Sequence, residues 1–184
     1  MSPKSKPKIS IVVAVGNDFV IGFKNKIPWM IEEGKRMRAD MMHFLEVTKG
    51  KPVIMGQRTF ESIGKPIGRP EGGRKNIILT QDPSFKPEGS LLKGHIVMAA
   101  HSIPEALALA GDTPEVMIGG GLSIYTQFLP MASRLYLTLI DGNFEGDAYF
   151  PALNWSEWEE KEKIENDPDE ENSYKYTFLI LERK

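Results

Sequence analysis

Lys51-Pro-Val-Ile-Met-Gly56-Gln-Arg-Thr59-Phe-Glu-Ser-Ile-Gly64 runs from a short apolar stretch into a segment of helical character with only Gly56 between them. Parallel strands need a crossover to connect them, and a helix usually supplies it. A buried run that feeds a helix directly is therefore the unit of a parallel sheet. The unit recurs along the chain. Ile9-Ser-Ile-Val-Val-Ala-Val15 is a continuous, largely β-branched run of the kind buried on both faces. Glu115-Val-Met-Ile118 leads into Gly119-Gly120-Gly121 and a helix over 122–129, stopped by Pro130. Residues 76–80, 94–99 and 134–140 read as further strands. Ser102-Ile-Pro-Glu105 has the residues of a capping box, opening a helix through Ala110. The helix over 57–64 is expected to be capped near Thr59. Alternating segments around 158–164 and 174–181 flank an acidic loop, 166–172, and read as an antiparallel hairpin. The fold class is α/β, with a mostly parallel central sheet and an antiparallel C-terminal edge strand.

A chain of 184 residues is enough for one well-filled domain, and its 41% hydrophobic and 26% charged content is ordinary for a globular protein. Its net charge of −2 provides no basic field for nucleic acid or an anionic membrane. The absence of cysteine excludes disulfides, thiolate nucleophiles and cysteine-ligated metals. His43, His95 and His101 have no ligand spacing, so no metal site is expected. Residues 1–8, basic and proline-rich, read as a disordered leader ahead of a single domain over 9–184. The apolar run that follows is too short to span a membrane and has no small-residue cleavage site after it. A cytoplasmic protein is expected.

Chemistry enters with Arg36-Met-Arg-Ala-Asp40-Met-Met-His-Phe44-Leu-Glu-Val-Thr48. At helical spacing Met37, Asp40, Met41, Phe44, Val47 and Thr48 share one face, apolar apart from the carboxylate at its centre. An unpartnered carboxylate on such a face is costly, so it has a partner or a raised pKa put to use. The residues alone leave two plainer readings open: Asp40 as a helix N-cap, or as the partner of Arg36 or Arg38. Two strand-to-helix turns, at Gly56-Gln57-Arg58-Thr59 and at Gly119–Ser123, suit phosphate, because helix-opening amides point outward and glycine lets a ligand approach. Neither is a G-x-G-x-x-G or Walker A motif. As a pair they suit a diphosphate-bridged dinucleotide. Arg58 either meets a further phosphate or is a solvated surface arginine.

Several blocks, in order, are similar to one family: Val20-Ile21-Gly22, Asn25-Lys-Ile-Pro28-Trp29, Asp40-x-x-x-Phe44-x-x-x-Thr48, Lys51 to Gly56, and Thr59 to Gly64. They continue with Gly73-Arg74-Lys-Asn-Ile-Ile78, the glycine turn before Ile124-Tyr125, Leu135-Tyr-Leu-Thr138 and Glu145-Gly-Asp147. From Ile9 to Lys184 the chain resembles dihydrofolate reductase of the bacterial chromosomal type. The resemblance implies that family's three-layer fold, with helices on both faces of the sheet. It also implies reduction of 7,8-dihydrofolate to tetrahydrofolate by NADPH, with hydride delivered to C6 and a proton to N5, in one-carbon metabolism. Dihydrofolate and antifolate inhibitors such as trimethoprim are the implied partners of a monomer that engages neither nucleic acid nor membrane.

Residue by residue, the resemblance makes Asp40 the active-site acid, Thr138 the hydroxyl behind it and Trp29 the holder of an adjacent water. Val12, Val13, Ala14, Met41, Phe44, Ile63 and Tyr125 match the substrate walls, and Arg74 the clamp for the glutamate carboxylate. Matching cofactor positions are Ala14, Ile21, Asn25 and Ile27 from the first strand and the loop after it. Gly56, Gln57, Arg58, Thr59, Leu79, Thr80, Gln81 and His101 follow, and Gly120, Gly121, Leu122, Ser123, Ile124 and Tyr125 complete the set. Asp147 matches the residue that steadies the mobile loop. A riboflavin-pathway pyrimidine reductase of the same fold and a non-catalytic folate-binding protein are the alternatives.

The chain also departs from the pattern. Extra residues, including Glu32-Glu33-Gly34-Lys35, separate Trp29 from Asp40, and a second insertion falls at 68–72. Gln57 stands where the family often has an arginine for the NADPH 2′-phosphate. Gly119 stands where a bulky aliphatic usually meets the substrate, which predicts a roomier pocket and weaker diaminopyrimidine binding.

Overall fold

The first strand, β1 (Lys8–Val15), divides the protein into two cores because its side chains alternate across the sheet. Ile11, Val13 and Val15 point into one core, while Val12 and Ala14 belong to clusters on the other face. The computed structural model describes residues 6–68, 73–87 and 93–184. After β1 come β2 (Val20–Gly22), α1 (Arg38–Val47), β3 (Val53–Gly56), α2 (Gln57–Ile63), β4 (Lys75–Leu79), β5 (Ile96–Ala100) and α3 (Ile103–Ala110). The chain continues through β6 (Glu115–Ile118), α4 (Leu122–Phe128), β7 (Arg134–Ile140), β8 (Ala148–Tyr149), β9 (Trp158–Asn166) and β10 (Tyr176–Arg183).

Eight strands form one sheet in the order β5-β4-β3-β6-β1-β7-β10-β9, while β2 and β8 make a separate pair. β5 through β7 are mutually parallel, and β10 runs antiparallel to β7 on one side and to β9 on the other. The expected antiparallel C-terminal strand is β10, with β9 outermost. Strands β3, β4 and β6 alternate as β1 does. Ile54, Ile77 and Ile118 face the core shared with α3 and α4, whereas Met55, Ile78 and Met117 face the one shared with Phe44, Leu45 and Phe60 of α1 and α2. Helices therefore cover both faces.

Local signals placed most elements, with instructive differences. Ser102 caps α3 by accepting from Glu105 N, and Glu105 Oε2 accepts from His101 N at 2.7 Å, one residue ahead of the cap. The helix expected to be capped at Thr59 begins at Gln57 instead, with Gly56 as its N-cap and no side-chain cap at all, because strand and helix share that glycine. α4 ends at Phe128, and Leu129–Met131 tighten into a 3-10 turn around Pro130. α1 begins at Arg38, one residue later than the apolar pattern suggested: Met37 has non-helical dihedrals (φ −142°, ψ 69°) and bridges to Asn172. None of α1's residues is fully buried, and Met41 is 52% exposed. Its apolar face borders an open cleft, not the packed interior expected. Of the leader, residues 1–5 lie outside the described residues, and Lys8 opens β1 by donating its amide to Pro114 O at 2.9 Å. Most of the second insertion, 69–72, and the end of the loop over 81–92 also lie outside them. Among the described residues no helix is long and apolar enough to cross a membrane.

Candidate active site

The carboxyl ends of β1, β3 and β6 open onto a cleft of about 1640 Å³ that runs between α1 on one side and the starts of α2 and α4 on the other. In open α/β sheets such a crevice is the usual ligand site. A smaller hollow of about 520 Å³ near Asn17 and Lys175 contains none of the residues singled out from the sequence.

Asp40 occupies the first turn of α1 and lines the cleft. Burial of its carboxyl raises its pKa from 3.8 to about 6, outweighing the hydrogen bond from Thr138 that pulls it down. It pairs with neither Arg36 nor Arg38, whose contacts lie elsewhere: Arg38 forms an ion pair with Glu171. Thr138 is buried on β7 directly opposite Ala14 of β1, so the sheet register holds the hydroxyl behind the acid and off the cleft wall. Trp29, in the 3-10 turn Pro28–Met30, is buried edge-on against Phe144 with ring centroids 5.7 Å apart, and reaches the cleft beside Asp40's helix. Val12, Ala14, Met41, Phe44, Ile63 and Tyr125 line the same cleft. Val13 touches it from the strand while its side chain packs into the α3–α4 core. The Tyr125 hydroxyl donates to Val12 O at 3.0 Å, and burial beside Asp40 pushes its ionisation well above the ordinary phenol range.

Arg74 is placed differently from the other substrate candidates. It is 7% exposed and is not itself on the cleft wall; Nη2 donates to Leu45 O at 3.0 Å. Its Nε and Nη1 are buried with no hydrogen-bond partner among the described residues. Leu45 and Gly68, which hold it on either side, do line the cleft, and a Cβ on Gly68 would come within 2.8 Å of Nη1. Burial lowers its pKa, and so basic a group remains cationic. A buried cation with two idle donors calls for an anion.

At the other end the turns of β3–α2 and β6–α4 are joined by Gly56 N donating to Gly120 O at 2.7 Å. Gly56, Gln57, Arg58, Thr59, Leu79, Thr80, Gln81, His101 and 120–124 all line the cleft here. Glycine is required at this junction: Gly120 has φ +105° and a Cβ there would sit 3.0 Å from the Tyr125 hydroxyl, and one on Gly121 would lie 2.9 Å from Thr59 Oγ1. That cradle, bare of side chains and flanked by hydroxyls, fits the diphosphate of a dinucleotide. Gln57 is held beside it, Nε2 donating to Glu61 at 2.8 Å and Oε1 accepting from Thr80 at 2.5 Å. Arg58 is exposed on the cleft.

Ile21 of β2 and Asn25 and Ile27 of the loop after it line the cleft. That loop is held by Asp147, whose carboxylate accepts from Lys24 N at 2.9 Å and whose own amide donates to Gly22 O at 2.9 Å. The gap at Gly119 is smaller than a missing side chain suggests, since a Cβ there would be 3.1 Å from Val53 Cγ1 and 3.5 Å from Phe44 Cζ. Sequence reasoning passed over Leu45, Ile67, Ser62 and Lys65, which also line the cleft. Ser62 follows Thr59 and Arg58 by one helical turn, a spacing that could have found it. No cluster of metal-ligating side chains occurs among the described residues.

The sequence matches the dihydrofolate reductase family over residues 8–183. Dihydrofolate reductase type 3 of Salmonella typhimurium is 42% identical over 176 residues, covering 96% of this chain and 98% of that protein. Dihydrofolate reductase of Haemophilus influenzae is 41% identical over 175 residues, covering 95% and 98%. Among solved structures, dihydrofolate reductase from Enterococcus faecalis complexed with NADP(H) and RAB-propyl superposes with a TM-score of 0.81 at 31% identity, covering 97% of this chain and 98% of that one.

Proposed function

The chain belongs to the dihydrofolate reductase family and reduces 7,8-dihydrofolate to 5,6,7,8-tetrahydrofolate with NADPH, and we propose that Asp40 is the acid on which this reduction turns. The observation that carries the proposal is a single carboxyl, held near pKa 6 by burial, facing a cleft whose remaining walls at that end are apolar. Neither a pyrimidine reductase nor an idle folate binder is favoured by relatives of this kind.

Asp40 anchors the pterin through its ring nitrogen and amino group, and in its protonated form keeps a proton available for N5. Thr138 fixes the carboxyl's orientation from behind, and Trp29 closes the pocket beside it. Val12, Ala14, Met41, Phe44 and Ile63 hold the flat rings of the substrate in apolar surroundings, where the acid's hydrogen bonds gain strength. Arg74 takes the glutamate carboxylate on its two idle donors. NADPH, when bound, supplies the hydride. Thr59, Gly120, Gly121, Ser123 and Ile124 hold its diphosphate region, with Arg58 in reach of a further phosphate in place of the committed Gln57. The loop carrying Ile21 and Ile27 covers the nicotinamide end and keeps water out. The enzyme acts as a monomer, a reading supported by the charges along the edge strand β9, which discourage edge pairing; the cytoplasm is its expected location.

The test is NADPH oxidation with dihydrofolate, in the parent and in Asp40→Asn. Two further outcomes are expected. Thr138→Val removes the bond that opposes burial, so the pH at which hydride transfer falls off moves upward from the parent's; an unmoved midpoint in a folded variant excludes Thr138 as the acid's partner. Gly121→Ala crowds Thr59 and is expected to weaken NADPH binding about tenfold while leaving dihydrofolate affinity intact. Fluorescence titration of each ligand checks it, and equal affinity for NADPH would remove the cradle from the cofactor site.

A further inference from the structure

Helix α1 has no cap of its own. Met37 precedes it in a non-helical conformation and no side chain of its own segment caps it, so the amides of its first turn need partners from elsewhere. The connection between β9 and β10 provides them. Ala39 N donates to Asn172 Oδ1 at 2.8 Å, and Arg38 N donates to Glu171 O at 3.2 Å. Asn172 is itself fixed: it is 5% exposed, and Nδ2 donates to the two carboxylate oxygens of Asp169 at 2.9 and 3.0 Å. The segment leading into the helix is tied to the same connection. Ser173 N donates to Arg36 O at 2.9 Å, and Arg36 N donates to Ser173 Oγ at 3.0 Å. Asp40 is the residue after Ala39.

We propose that Asn172 is a positioning residue for the reaction: capping α1 from another part of the chain, it fixes the first turn and with it the place of the Asp40 carboxyl in the cleft. This rests on the reading of Asp40 as the acid. A helix end without acceptors for its amides frays within its first turn, which is where Asp40 sits. A displacement of about 1 Å at a reacting group costs on the order of a hundredfold in rate, so even partial fraying is visible in turnover. Asparagine suits the task because Oδ1 serves the helix while Nδ2 is held by Asp169; alanine offers neither contact. Aspartate at 172 would lose the donor and face Asp169's charge, unless 169 became the donor instead. The ionisable groups facing this joint include Asp169 and Glu171 from the connection, Tyr176 beside Asp169, Arg38 and Asp40 from α1, Tyr125 of α4 beside Asp40, and Lys35, which lies over the Tyr174 ring.

Single-turnover hydride transfer against pH, the affinity of each ligand and amide exchange at Ala39 together test the proposal in the full chain. Asn172→Ala is expected to slow hydride transfer about tenfold, shift the midpoint of its pH profile and lose protection at Ala39, with NADPH affinity within about twofold of the parent. The double exchange Asp169→Asn with Asn172→Asp reverses donor and acceptor, and is expected to recover most of the rate. A folded Asn172→Ala with parental rate and midpoint overturns the proposal. So does an exchange variant that melts like the parent yet stays slow. Asp40→Asn measured alongside separates the two readings: if it too is unimpaired, the acid is misassigned, and if it alone is slow, the positioning role fails.

Discussion

Asp40→Asn is expected to lower the rate of hydride transfer at neutral pH by about 10²- to 10³-fold while making the free protein more stable. The two effects share one cause. Burial raises the carboxyl's pKa from 3.8 to about 6, so the acid is protonated below that pH and increasingly ionised above it. In the parent, proton-linked hydride transfer should be level at low pH and fall about tenfold per pH unit beyond the midpoint. The amide has no titrating proton, so the variant's profile should be flat and low. For stability the sign follows from proton counts. Between about pH 4 and 6 the folded acid holds a proton that the unfolded chain has released, so folding becomes less favourable as pH rises through that window, and the deficit persists above it. Removing the charge removes the deficit, an effect on the order of 3 kcal/mol near neutrality. Below about pH 4 parent and variant should converge. Stopped-flow kinetics and thermal melts across pH read both halves. Wild-type turnover in the variant would strip Asp40 of its role, and a lower melting temperature at neutral pH would show that something other than burial holds the carboxyl near 6.

Arg74→Ala should act on binding alone. Two buried donors of Arg74 have no partner among the described residues, and charge-assisted hydrogen bonds to a carboxylate contribute about 1.5–3 kcal/mol. The affinity for dihydrofolate is therefore expected to fall on the order of a hundredfold, with the rate at saturation within a few-fold of the parent and NADPH binding unaffected. A pteridine lacking the glutamate tail should bind parent and variant alike. The free protein should lose little stability, since only the bond to Leu45 O disappears and a buried, underpaired cation goes with it. Unchanged affinity for dihydrofolate would remove Arg74 from the site.

How much of this was legible in the chain depends on the range of the interaction that decides it. The strands around Ile11, Ile54 and Ile118 declared themselves because double-sided burial demands unbroken apolar runs. Ser102 and Glu105 declared the start of α3 because the interactions lie within a few residues. Asp40 stood out as a charge on an apolar face, yet periodicity cannot tell a face that packs on a core from one that borders a cleft; Met41's exposure decided that. The start of α1 was misread because what keeps Met37 out of the helix is Asn172, far along the chain. The commitment of Gln57 to Thr80 and Glu61 was equally invisible, and it turns a simple substitution for arginine into a side chain already held in place at both its oxygen and its nitrogen.

The bond from Ala39 to Asn172 spans 133 residues of chain, and that has a consequence for how the protein emerges from the ribosome. The segment bearing the acid is made early, but the acceptor that orders it is translated long afterwards, as is Phe178, the cross-strand neighbour of Thr138. Contacts so distant in sequence close late, because the entropy of the intervening loop must first be overcome. A nascent chain can thus assemble β1, β3, β4 and β6 around their shared core while the pterin end of the cleft is still unformed. Competence to bind folate should arrive abruptly, with the last two strands, instead of growing with chain length.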